Sequence, residues 1–218
     1  MKEQFGKWKI EKGINFGNRP GSHSETKFVK HVETKEQAVI KFPTDINKDE
    51  FRHEIQVLSE VEHPNIVTPI DAGESGGTQY LILPYPGDKS IRDEYTKWDL
   101  TRKMEVFEGM VRPINHLHRK GIVHGHPGLY NYFSDENDNP ILYGFNNSLS
   151  EKNSNEHRLS YGFYGDILVL ARSFYEMVGS YYGKEKEGKA AWTELKKVCF
   201  DAFEGERWEQ LQAEQKKL

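Results

Sequence analysis

Four histidines, His116, His118, His124 and His126, fall within eleven positions of this chain, with Asn131 close behind. A histidine near its ordinary pKa takes a proton at neutral pH, so His126 is a candidate base. The cluster also raises a zinc reading. That reading is the weaker one: His116 and His118 stand two apart on an expected helix and point in different directions. Cysteine and carboxylate partners to complete the set are missing. Asn131 is neutral and a poor magnesium ligand, because that ion prefers carboxylate and phosphate oxygens. Cys199 is the only cysteine, so no intrachain disulfide forms, which fits a reducing compartment. It lies in Leu195–Lys196–Lys197–Val198–Cys199–Phe200, an apolar helical stripe. That marks it as a small buried hydrophobe rather than a nucleophile.

The elements that must position these groups change character along the chain. Lys7–Ile14, Glu25–Glu33 and Glu36–Phe42 read as short strands, with a tight hairpin at Thr34–Lys35. Asn47 followed by Glu50 reads as a helix N-cap with its partner three residues on. Phe51, Ile55, Leu58 and Val61 then recur at helical spacing, and His63–Pro64–Asn65 ends that helix. Strands are expected at Ile66–Ile70 and Gln79–Leu83, the second stopping at Pro84. Beyond Pro86–Gly87 the pattern is helical. Met104, Phe107, Met110, Val111, Ile114 and Leu117 form one face of a long helix, which Pro113 should bend. Ile167–Val178 is apolar nearly all round and reads as a buried central helix. Ala191–Glu214 holds two amphipathic pieces split near Gly205. A sheet-rich part followed by a helix-rich part is α+β, with the change near residue 85.

The bulk numbers bound the function. The 218 residues are 36% hydrophobic and 29% charged, ordinary for a soluble domain with a core. A net charge of −4, without a basic stripe, argues against a nucleic-acid or anionic-membrane partner. The N-terminus lacks the apolar run of a signal peptide, and no stretch approaches a membrane span.

The segment His124–Gly125–His126–Pro127–Gly128–Leu129–Tyr130–Asn131 resembles the H-R-D-x-x-x-x-N loop of eukaryotic-type protein kinases. Asn139–Pro140–Ile141–Leu142–Tyr143–Gly144–Phe145–Asn146 resembles the strand leading into D-F-G. Ala38–Val39–Ile40–Lys41, then Glu54, then His63–Pro64–Asn65–Ile66–Val67 extend the likeness over nearly the whole chain. The resemblance implies a two-lobed kinase-like fold in a single domain, 1–218, with an N-lobe at 1–85 and a C-lobe at 86–218.

It also implies roles. Lys41 would hold the nucleotide phosphates and pair with Glu54. Leu83 would back the adenine pocket, with Pro84 in the hinge after it, and Val39 and Phe133 would flank the ring. Pro86 falls where the family offers a backbone N–H to adenine, and proline has none. Of the phosphate loop only Gly21 remains, and Glu25 adds a repelling charge. Asn131 matches a magnesium ligand. His126 replaces the base aspartate, Gly144 the metal aspartate and Asn146 the closing glycine. His124, Phe145 and Leu58 match a packing column, Asp166 the aspartate opening the buried helix, and Arg207 the arginine between the last helices. No A-P-E follows, and Ser148–Glu156 reads as a mobile polar loop.

The resemblance therefore implies a pseudokinase with no catalytic residue and no metal. ATP, if bound, would bind weakly and without magnesium. A protein partner is implied, a kinase or a kinase substrate, as is residence in the cytoplasm or delivery into another cell's cytosol. Two rivals stand beside it. One is a nucleotide-dependent transferase of unusual chemistry, or a residual Ser/Thr kinase, using His126, Asn131, Lys41 and Asp166. The other is a scaffold whose pocket is closed by side chains, for which Tyr130 and Tyr143 have the bulk.

Overall fold

The computed structural model describes residues 4–15, 24–44 and 47–178. Gly21, Cys199, Arg207 and the segment 191–214 lie outside the described residues. Six antiparallel strands form the main sheet, in the order β1-β2-β3-β4-β6-β5. They are β1 (Gln4–Phe5), β2 (Trp8–Asn15), β3 (Ser24–His31), β4 (Gln37–Pro43), β5 (Asp71–Ser75) and β6 (Thr78–Pro84). Helix α1 (Lys48–Glu60) follows β4. After β6 come α2 (Ile91–Glu94), α3 (Leu100–Arg119), a small ribbon of β7 (Tyr132–Ser134) and β8 (Pro140–Leu142), and α4 (Glu156–Val178). An antiparallel sheet with several helices is the α+β arrangement expected.

Strand alternation sorts the sheet into two faces. Register pairs Thr26 with Lys41, Phe28 with Val39, Val39 with Leu83 and Lys41 with Leu81. These residues therefore share one face, and Val39, Leu81 and Leu83 join the main core there. Val29, Ala38, Ile40, Phe42 and Ile82 take the other face and bury Phe5 and Trp8. Glu25 pairs with Phe42 and so belongs to that second face. It lies away from Lys41, beside Lys27 at 3.0 Å, which corrects the expectation of a charge aimed at the phosphates.

Several other expectations change. Asn47 occupies the N-cap position of α1 but makes no cap bond; its amide donates to Thr44 Oγ1 at 3.2 Å instead. Residues 66–70 form no strand. Ile66 makes a lone bridge to Leu142, and Pro64 and Pro69 lack the N–H groups a ladder needs. α3 is capped by Asp99, which accepts from the Arg102 N–H at 2.8 Å, and it runs unbroken through Pro113. α4 begins at Glu156, far ahead of 167, with Asn155 accepting the Arg158 N–H at 2.9 Å. Gly162 and Gly165 had masked this start, since glycine is a poor helix former. Among the described residues α4 is buried on one face only. Leu168 is 50% and Tyr175 62% exposed, and the described packing partners of α4 lie on α3 and on the 123–125 loop.

The segment expected to be a mobile loop is tied down. Val123 and Leu149 exchange backbone bonds at 2.8 and 2.9 Å. Asn153 accepts from the Ser150 N–H at 2.8 Å and donates to the Ser148 carbonyl at 3.2 Å. Lys152 reaches Glu60 at the end of α1 at 2.7 Å. Polar side chains that bond their own backbone make a short loop rigid without an apolar anchor.

Candidate functional site

Lys41 leaves the middle of β4 and meets Glu54 of α1 at 2.5 Å. Glu54 is fully buried, and its second oxygen has no hydrogen-bond partner among the described residues. A buried carboxylate is tolerable only with a cation beside it, so the pair fixes α1 to the sheet. Leu58, one turn on, is buried in the same core as Phe145.

Asp166 organises the loop between α3 and β7. Its carboxylate accepts the His124 N–H at 2.9 Å and the Gly125 N–H at 2.8 Å. His118 Nε2 lies 2.9 Å from the same group. Asp166 stands midway along α4 rather than at its start, because the helix begins earlier. His124 Nδ1 accepts the His126 N–H at 3.2 Å, which makes Nε2 the donor to the Tyr143 carbonyl at 3.0 Å. Burial pushes the His124 ring down to about 4, with Asp166 pulling the other way. It is therefore neutral and structural. Its ring meets Phe145 edge-on at 4.8 Å.

The histidines do not converge. His116 faces His63 at 5.1 Å, while His118 and His124 are committed to Asp166 and Tyr143. Among the described residues no three His, Cys, Asp or Glu side chains are arranged to hold a metal ion. The His126 side chain is exposed, and no described carboxylate orients its ring as a general base requires.

Gly144 sits at φ +83, and a Cβ there would lie 2.7 Å from Asn131 Oδ1. The Asn131 amide nitrogen donates to the His126 carbonyl at 2.8 Å. Asn131 is thus folded against the place where a carboxylate would stand. Gly125, at φ +86, has Asn147 O 2.5 Å from its Cβ direction, so no larger side chain fits there either.

At the other end of the cleft, Leu83 is buried and Pro84 closes β6. Pro86 follows, with no N–H to offer. Tyr143, just past β8, places its hydroxyl 3.4 Å from the Pro84 carbonyl oxygen. Its ring meets Phe133 edge-on at 5.3 Å. Burial raises its pKa far above the usual phenol value. From the sheet side Phe28 meets Tyr85 at 5.2 Å. The sequence places Phe28 only in an alternating strand; its place opposite Val39 and against Tyr85 follows from the register. Tyr130 is half exposed under the Arg92 guanidinium, 5.3 Å from its ring centre.

Residues 17–158 match the protein kinase domain model. The chain is 30% identical over 139 residues to a hormonally up-regulated neu tumor-associated kinase homolog A of Xenopus laevis, covering 57% of this chain and 20% of that protein. It is 30% identical over 124 residues to a probable serine/threonine-protein kinase, samkC, of Dictyostelium discoideum, covering 54% of this chain and 14% of that protein. A third relative, fatty acyl-CoA synthetase and RNA processing-associated kinase 1 of Saccharomyces cerevisiae, is 27% identical over 156 residues, 69% of this chain and 18% of its own. The chain thus spans a fifth or less of the length of these curated relatives. With the lysine–glutamate pair, the aspartate-bound catalytic loop and the β7–β8 ribbon in kinase order, the chain belongs to the protein kinase domain family.

Proposed function

We propose that this domain is a pseudokinase: it does not transfer phosphate and acts as a protein-binding or regulatory module. The observation that carries the reading is at Gly144. That position supplies no ligand, and the direction a side chain would take is filled by Asn131. Magnesium bridges the β- and γ-phosphates in kinases and offsets the charge developing in transfer. The residues here do not fit it. Asn131 is neutral and offers a single amide oxygen, and no carboxylate stands at 126 or 144. Lys41 remains, but its partner is Glu54, and its work is to hold α1 on the sheet. Nucleotide binding is weak or absent and independent of metal.

The partner is a protein, a kinase or a kinase substrate, docked on a scaffold held by the Lys41–Glu54 pair and by Asp166. Transfer of labelled phosphate from ATP, with magnesium or manganese, to the chain itself or to generic protein substrates should stay at the level of a Lys41→Met control. Transfer well above that control overturns the reading.

A second reading, residual Ser/Thr kinase or unusual transferase activity, is favoured by the intact Lys41–Glu54 pair and by the kinase names of the relatives. Its mark would be transfer, or a nucleotide-derived adduct on a partner, that disappears in His126→Ala.

A further inference from the structure

We propose that Tyr143 is a resident plug of the adenine position, the side chain that decides that a purine does not settle against the hinge. The inference rests on the reading of an inactive cleft and deepens it. Adenine presents an exocyclic amine donor beside a ring-nitrogen acceptor on one edge. A hinge that reads this edge needs a free carbonyl and a free N–H. Here the Pro84 carbonyl faces the Tyr143 hydroxyl at 3.4 Å, and residue 86 is proline, without an N–H. The N–H contact is thereby missing, and the approach to the carbonyl is crowded by the Tyr143 phenol.

The hydroxyl contact is long for an O–H···O bond, so the ring matters more than the bond. Tyr143 is anchored through its own backbone, whose carbonyl accepts from His124 Nε2 at 3.0 Å and whose N–H donates to the Asn131 carbonyl at 2.8 Å. Its ring rests edge-on against Phe133, the residue that would form the floor beneath adenine. Phe133 and Tyr143 also line a cavity of 330 Å³ that extends from Pro84 and Pro86 to Ile66 and Thr68, and whose lining does not include Val39 or Leu83. Swinging the ring out costs that packing. A ligand that binds only the swung-out state has its affinity reduced by the fraction of molecules in that state.

The test uses the full chain and adenosine, in thermal melts and by titration calorimetry, without added metal. Wild type should shift by less than about 0.5 °C at millimolar adenosine, because a ligand that binds the native state must raise stability by mass action. Tyr143→Ala should bind adenosine at least about tenfold more tightly than wild type, the plug having gone. Tyr143→Phe, which keeps the ring, should behave as wild type. A wild-type shift above about 2 °C overturns the proposal. So does a Tyr143→Ala protein that melts cooperatively yet binds no better than wild type. Should the alanine variant not fold, Tyr143→Val replaces it, and the wild-type titration stands alone. Phosphate transfer by Tyr143→Ala would sink the inactive reading while leaving the plug in place. Adenosine binding by wild type without transfer would do the reverse.

Discussion

Asp166 and Gly144 make an instructive pair, one with a buried carboxylate and one with no side chain. At Asp166 the side chain is kept, fully buried, and meets two backbone N–H groups and an imidazole. At Gly144 there is no side chain, and a Cβ there would meet Asn131 Oδ1 at 2.7 Å. The first carboxylate holds the catalytic loop's backbone, and losing it would strand donors inside the protein. A carboxylate at the second position, in a working kinase, serves an external ion, and the fold keeps its shape without it. Groups that satisfy the protein's own polar atoms persist for stability; groups that serve only a ligand are dispensable once the ligand is not used. Lys41 belongs to the first kind here, because Glu54 needs it whether or not a phosphate ever arrives.

That contrast is open to breakage. Asp166→Ala should be the most damaging change, leaving the His124 and Gly125 N–H groups unpaired for about 4 kcal/mol or more; loss of the cooperative melt would register it, and a mild effect would show that the carboxylate is not holding the loop. Lys41→Met should cost about 3–5 kcal/mol by leaving a buried charge without its partner. The double change Lys41→Met with Glu54→Leu should recover most of that in chemical denaturation. No recovery would argue that Lys41 is tuned to something other than Glu54.

A smaller effect should come from pH. The His124 ring is held neutral by burial, near 4 against 6.5 when unfolded. The unfolded chain therefore gains a proton below 6.5 that the folded chain refuses. Stability is fully present above 6.5 and falls by about 1.4 kcal/mol per pH unit towards 4. Burial also lowers His53, His63 and His116, which adds slope in the same direction. Denaturation midpoints of His124→Gln measured across that window should show a shallower decline than wild type.

Restoring the aspartate sharpens the comparison further. Gly144→Asp should cost about 1–3 kcal/mol, through positive φ and the contact with Asn131, and should bring no phosphate transfer in the labelled-ATP assay. Replacing Lys152, whose exposed bridge to Glu60 lies on the surface, should leave the melting temperature unchanged within scatter.

How much was readable in advance depended on distance along the chain. Lys41, Glu54, His124, Asn131 and Asp166 could be singled out from the sequence because they sit in or near motifs of fixed spacing. The start of α4 was missed because Gly162 and Gly165 weaken a helical pattern that tertiary packing then overrides. Glu25 was assigned to the wrong face because its orientation depends on register with β4, which no local pattern states. Ser148–Glu156 read as loose because its composition is polar, yet its own side chains close its backbone bonds. The hinge contact of Tyr143 spans fifty-nine positions, beyond the reach of any periodicity.

The order of residues alone settled the family motifs, a histidine at 126 and a glycine at 144, and the lack of an N–H at Pro86, since these are facts of covalent identity. Folding decided the rest. Which side chain faces a glycine or a backbone carbonyl, as Asn131 faces Gly144 and the Tyr143 hydroxyl faces the Pro84 carbonyl, depends on which distant groups are packed together there.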